Sequence, residues 1–85
     1  MGLDDYRASI QHCKKVTDLE KNDADAHLMM AQAYAGLFSE NNRRDYLVDA
    51  KANVEAVLRI NPGHVAAPRL KTKLKEINEL LASVK

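Results

Sequence analysis

The chain has 85 residues, 46% of them hydrophobic and 29% charged, with a net charge of +1 and one cysteine. This suffices for one small domain with a thin core, burying roughly 60–65% of the surface its unfolded chain exposes. The near-neutral balance argues against a nucleic-acid surface, the single Cys13 excludes an internal disulfide, and no apolar run approaches the ~20 residues of a membrane span. The start of the chain has no signal-peptide pattern, and Tyr6 stands where an N-myristoylation motif after Gly2 requires Ser or Thr.

Alanine, leucine and many long charged residues favour helix, and the spacing of the apolar residues predicts four. The first covers about residues 4–20. Tyr6, Ile10, Cys13 and then Val16 or Thr17 recur at three- and four-residue steps, with Asp4 and Asp5 near the positive end of the helix dipole and Lys14 and Lys15 towards the other. Lys21-Asn22-Asp23 reads as a turn, with Asp23 an N-cap for a second helix over about 24–38. That helix is apolar around much of its circumference (Leu28, Met30, Ala31, Ala33, Tyr34, Leu37, Phe38), which predicts packing on two sides. Its alanines allow a neighbour to come close.

The polar run SENNRRD at 39–45, with the turn-prone pair Asn41-Asn42, predicts a loop. A third helix over about 43–60 carries Leu47, Ala50, Val54 and Val57 on one face. It stops at Asn61-Pro62-Gly63, where proline lacks an N–H and glycine can take a positive φ. A fourth helix is expected over about 65–83, with His64 as a cap and Pro68 tolerated in its first turn. Its narrow stripe (Leu70, Leu74, Ile77, Leu81, Val84) faces inward and its charged remainder outward, as befits an outer helix. The expected fold class is therefore all-α, four helices stacked as antiparallel hairpins in a short right-handed solenoid.

The two turn regions, 18–23 and 59–64, parallel one another in part, giving a helix–turn–helix unit with a period of about 40 residues, in the range of helical repeats. In the full unit His27, Met30, Ala31 and Tyr34 fall at set spacings in the first helix, and Ala50, Val54, Val57 and Pro62 in the second. In these residues the chain resembles the tetratricopeptide repeat. Tyr34, Ala31, Ala50 and Pro62 fit that family's pattern. His27, Val54 and Val57 depart from it, as do about seven extra residues between Gly36 and Asp49 relative to the ~34-residue repeat. The resemblance extends over nearly the whole chain as a single domain: a half repeat at 4–23, a full repeat at 24–64 and a capping helix at 65–85. It implies the C-terminal portion of a longer array, with a standalone chain of one and a half repeats as the alternative.

Candidates for chemistry are few. His12 and Cys13 are adjacent, and successive helical residues point about 100° apart, so they do not share a metal. His27 and His64 have no partner at ligand spacing. Cys13 lies on the apolar stripe as a small core residue. Arg43-Arg44 is an isolated basic pair, and no phosphate loop or nucleophile elbow is present. The expectation is a non-enzyme with no cofactor and no metal.

What the resemblance implies instead is a concave groove lined by the first helices of successive repeats. By position it would present Leu28, Met29, Gln32 and Ala35 from the second helix and Arg69, Lys73 and Glu76 from the fourth. The family's carboxylate clamp is missing, because Leu28 and Gln32 stand at its positions. The mixed apolar and basic lining implies a protein or peptide partner of acidic-apolar character, so the expected function is an interaction scaffold. The alternative is a structural cap or self-association module, with homo-oligomers formed through the exposed face of the first helix. Membrane association would come only through a partner or another domain.

Overall fold

The computed structural model describes residues 3–83, with side chains from Asp5 onward. It contains four α-helices: α1 (Leu3–Leu19), α2 (Ala24–Asn41), α3 (Arg44–Ile60) and α4 (Ala67–Ser83). Among the described residues there is no strand.

The helix ends follow local chemistry. Asp23 adopts an extended backbone, and its Oδ1 accepts the Ala26 N–H at 3.0 Å, so it caps α2 as its residue type predicts. The expected loop at 39–45 is not formed. α2 continues through Ser39, Glu40 and Asn41, and only Asn42 and Arg43 connect it to α3. The reversal is made at Asn42, whose φ of 55° is left-handed and whose N–H donates to the Phe38 carbonyl at 2.7 Å. Asparagine tolerates this conformation better than most residues. The residues expected in a loop therefore lengthen the helices instead. Arg43 flanks α3 without a side-chain cap; its guanidinium lies 5.7 Å from the Tyr46 ring centre and 3.4 Å from Asp45.

The second turn also corrects the reading of the sequence. α3 ends where Asn61 donates to the Val57 carbonyl at 2.9 Å, but no glycine has a positive φ among the described residues. The His64 N–H bonds the Asn61 carbonyl at 3.0 Å, and the Ala67 N–H bonds the His64 carbonyl at 2.8 Å. Two successive tight turns thus do what Gly63 was expected to do. They delay α4 to Ala67, leaving Val65 almost fully exposed. Pro68 is the second residue of α4, where its missing N–H would have had no partner. His64 closes the turn before α4 rather than capping the helix itself: its Nδ1 accepts the N–H of Ala66, the residue before the helix, at 3.0 Å.

Among the described residues only successive helices pack together: α1 on α2, α2 on α3, α3 on α4. Neighbours are antiparallel. Tyr34 of α2 stacks at 6.4 Å on Tyr46 near the start of α3, while Asp25 at the start of α2 reaches His64 beyond the end of α3. The Cα extents of 33 × 28 × 19 Å describe a slab about two helices deep, given interaxial distances of roughly 8–10 Å. One core joins Ile10 and Cys13 of α1, the inner faces of α2 and α3, and Leu70 and Ile77 of α4. Leu74 and Leu81 pack partly against it; Val84 lies outside the described residues. Leu19, at the end of α1, is exposed rather than packed.

α2 packs between α1 and α3, and small residues make that packing close. Ala26, Ala31 and Ala33 are buried. A Cβ added to Gly36 would fall into the Tyr6 ring, with the tyrosine oxygen 2.8 Å away, so Gly36 is what lets α1 lie against the α2 backbone. In an exposed helix Gly→Ala gains about 1 kcal/mol. Here it must displace a half-buried ring, at an overpacking cost of roughly 1–3 kcal/mol.

Cys13 is 1% exposed. Burial pushes its thiol above the ordinary range; the Ser9 hydrogen bond opposes this and the Asp23 charge adds to it. The folded chain therefore holds its thiol proton more tightly than the unfolded chain. This stabilisation is complete below the ordinary thiol value, about 8.5, and is lost as pH rises through the folded value.

Two outcomes are expected. In urea unfolding, Gly36→Ala lowers stability by about 1 kcal/mol in the native chain but raises it by about 1 kcal/mol in a Tyr6→Ala background; stabilisation in both backgrounds would contradict the close approach of α1. Above about pH 8.5 the native chain loses stability faster than Cys13→Ala, and parallel pH profiles would show the thiol to be solvated.

Candidate functional site

α2 and α4 both pack on α3 and make no close backbone approach to each other. The space between them is an open groove of about 300 Å³. From α2 it receives Leu28, Ala31, Gln32 and Ala35, which lie at steps of three and four residues on one side of the helix. From α4 it receives Arg69, Leu70, Lys73 and Ile77. Val54 of α3 forms part of the floor, and Ala66, from the turn before α4, closes one end.

Five of the seven residues expected from the sequence (Leu28, Gln32, Ala35, Arg69 and Lys73) thus line one groove. Met29 does not. Successive helical residues point about 100° apart, so Met29 turns towards α1. There it is 48% exposed and lines a smaller groove with Tyr6, Ser9, Gln32 and Ala33. Glu76 does not line it either; it shares a neighbouring surface of α4 with Pro68, Arg69, Thr72 and Lys73. The sequence did not single out Ala31, Val54, Leu70 or Ile77 for the groove, because each carries the signature of a core residue and is buried. Ala66, in the connecting turn, carried no signal at all.

The groove is electrostatically one-sided. Its only charged lining residues are Arg69 and Lys73, one helical turn apart on α4. Lys73 approaches Glu76 at 3.9 Å, with both side chains more than half exposed. Such an exposed i,i+3 pair is worth a few tenths of a kcal/mol at most, which leaves Lys73 free to exchange partners. Among the described residues no carboxylate pairs with Arg69.

The remaining polar groups tie the helices together near this end of the molecule. His27 places Nδ1 2.9 Å from Asn53 Oδ1 on α3 and Nε2 3.1 Å from the Lys21 carbonyl. Asn53 is oriented by donating to the Asp49 carbonyl at 2.9 Å. His64 accepts from Ala66 at Nδ1, so its Nε2 carries a proton and donates to Asp25 Oδ1 at 3.1 Å. These two rings link the turns at 20–23 and 61–66 to α2 and α3, which fixes where α4 begins. His12 is exposed, and among the described residues no three His, Cys, Asp or Glu side chains gather as a metal site. No helix among these residues is long and apolar enough to cross a membrane.

Comparison with described protein families, with curated proteins and with solved structures finds no match.

Proposed function

We propose that the chain is a protein–protein interaction scaffold of tetratricopeptide-repeat type, holding a peptide segment or a partner's surface in the groove between α2 and α4. The observation that carries this reading is the groove itself: an open trough with an apolar floor and two cations on one wall, Arg69 and Lys73. Apolar floor and basic rim together favour an acidic-apolar ligand, in which hydrophobic side chains supply affinity and carboxylates fix orientation and speed encounter. The site has the anatomy of a binding surface, and no catalytic role is assigned to it. On this reading the groove walls are preformed, because α2 and α4 are each anchored on α3 through buried side chains, so little ordering cost falls on the protein.

A second reading has one observation in its favour. The smaller groove between α1 and α2 brings the exposed Met29 beside Tyr6 and Ala33. That surface suits self-association through the first helix, in which case the chain acts as a cap or assembly module.

The test is a nuclear magnetic resonance titration of the labelled chain with synthetic peptides that alternate glutamate with leucine or isoleucine. Expected are shifts concentrated at Leu28, Gln32, Ala35, Arg69 and Lys73, and about tenfold weaker binding by the Arg69→Glu/Lys73→Glu variant, equivalent to ~1.4 kcal/mol. Shifts confined to the outward faces of α1 and α3 would refute the groove reading. Shifts at Tyr6, Ser9 and Met29 that grow with protein concentration alone would favour the second.

A further inference from the structure

We propose that the ligand of the α2/α4 groove is an amphipathic α-helix with carboxylates along one flank, not an extended segment. This deepens the scaffold reading and rests on it. The walls offer a peptide backbone few hydrogen-bond partners. An extended segment arrives with every N–H and C=O unpaired, and groups that lose water on docking need partners. Beyond the first-turn N–H groups of α4, which can only donate, the N–H and carbonyl groups along the facing stretches of α2 and α4 are committed to their own helices. Among the charged and polar lining residues, Arg69 and Lys73 can only donate, so they can meet peptide carbonyls but no peptide N–H. The one side chain in the lining with an oxygen acceptor to offer is Gln32. An extended peptide lying in this trough would leave its floor-facing N–H groups without partners. A helix brings its backbone hydrogen bonds with it and asks the walls only for apolar contact and charge, which is what they supply.

The relief of the walls fits the same occupant. On α2 the small residues Ala31 and Ala35 are one turn apart, and on α4 Arg69, Lys73 and Ile77 follow at successive turns. Rows of side chains at four-residue steps are the ridges and furrows into which a second helix packs, and small residues in such a row permit close approach. The lining runs from Leu28 to Ala35 on one wall and from Arg69 to Ile77 on the other, so each wall is about two helical turns long, some 10–12 Å. A docking helix would therefore bury about two turns, with apolar anchors at positions i, i+3 or i+4, and i+7 directed at Leu28, Val54 and Leu70. Carboxylates at i and i+4 on the flank beside α4 would meet Arg69 and Lys73, which are themselves one turn apart. In docking, the weak exposed contact between Lys73 and Glu76 gives way to a partner carboxylate.

The experiment compares two synthetic probes of identical composition, leucine anchors at heptad spacing and glutamates on one flank. One is locked as a helix by side-chain lactam bridges; the other carries D-residues at alternate positions so that it cannot be helical. Binding is measured by calorimetry and located by amide shifts. Expected is at least tenfold tighter binding of the locked helix, with shifts at Ala31, Ala35 and Lys73. Expected too is recovery of the Arg69→Glu/Lys73→Glu variant by a probe whose flank carries lysine in place of glutamate. Since Arg69 and Lys73 are exposed, circular dichroism of the variant should match that of the native chain. Equal or tighter binding of the non-helical probe in the groove would overturn the helical proposal and leave the scaffold reading standing. No shifts in the groove with either probe would overturn both. Groove binding that ignores the sign of the flank would overturn the carboxylate assignment.

Discussion

The structure depends on the close packing of α2 between α1 and α3. Small residues make this possible on both sides: buried alanines along the helix and Gly36 against the hydroxyl end of the Tyr6 ring. Apolar larger residues, chiefly Met30, Tyr34 and Leu37 from α2 and Leu47, Val54 and Val57 from α3, fill the space that remains. Close packing of this kind holds gains that a looser interface forfeits, because dispersion falls off within an ångström of extra separation. In a chain of this size the margin is small. Each outer helix has a single neighbour, so both α1 and α4 are held only as well as the central pair is formed.

That dependence also creates the candidate site. α4 packs on α3 alone, and its separation from α2 is set by the turn at 61–66 and by the side chains on the floor. Were α4 to lean against α2, the groove would be an interhelical core and Arg69 and Lys73 would need partners or water elsewhere. Because it does not, Leu28, Ala35 and Leu70 are left along an open trough whose walls are anchored from beneath. The His64 ring helps to hold this spacing, bracing the turn before α4 through the Ala66 N–H with one nitrogen and reaching Asp25 of α2 with the other. The scaffold reading thus places binding at the gap left by an otherwise sequential row of helices.

The four helices were legible in the sequence because each carries a strong period and clear punctuation. The all-round apolar pattern of 28–38 marked α2 as central, and the narrow stripe of 70–81 marked α4 as outer. The errors fell where local signals compete. Ser39, Glu40 and Asn41 are polar and turn-prone, yet they continue α2, because a polar last turn can remain helical when the next residue supplies the left-handed cap, as Asn42 does. Gly63 offered a positive φ that the chain never uses, since tight turns centred on His64 reverse it instead. In the groove, Leu28, Gln32 and Ala35 share one helical stripe, whereas Met29 was placed there by the family resemblance alone and turns towards a different helix. The floor residue Val54 could not be read as lining, because burial and groove-lining leave the same apolar signature in a sequence.

Native-state hydrogen exchange tests the central claim most directly. If α2 is the keystone, its amides from Met30 to Phe38 and those of α3 from Ala50 to Leu58 exchange slowest and with a common free energy, while α1 and α4 open at lower cost. Amides of α2 exchanging as fast as those of α4, with α3 alone protected, would contradict the account.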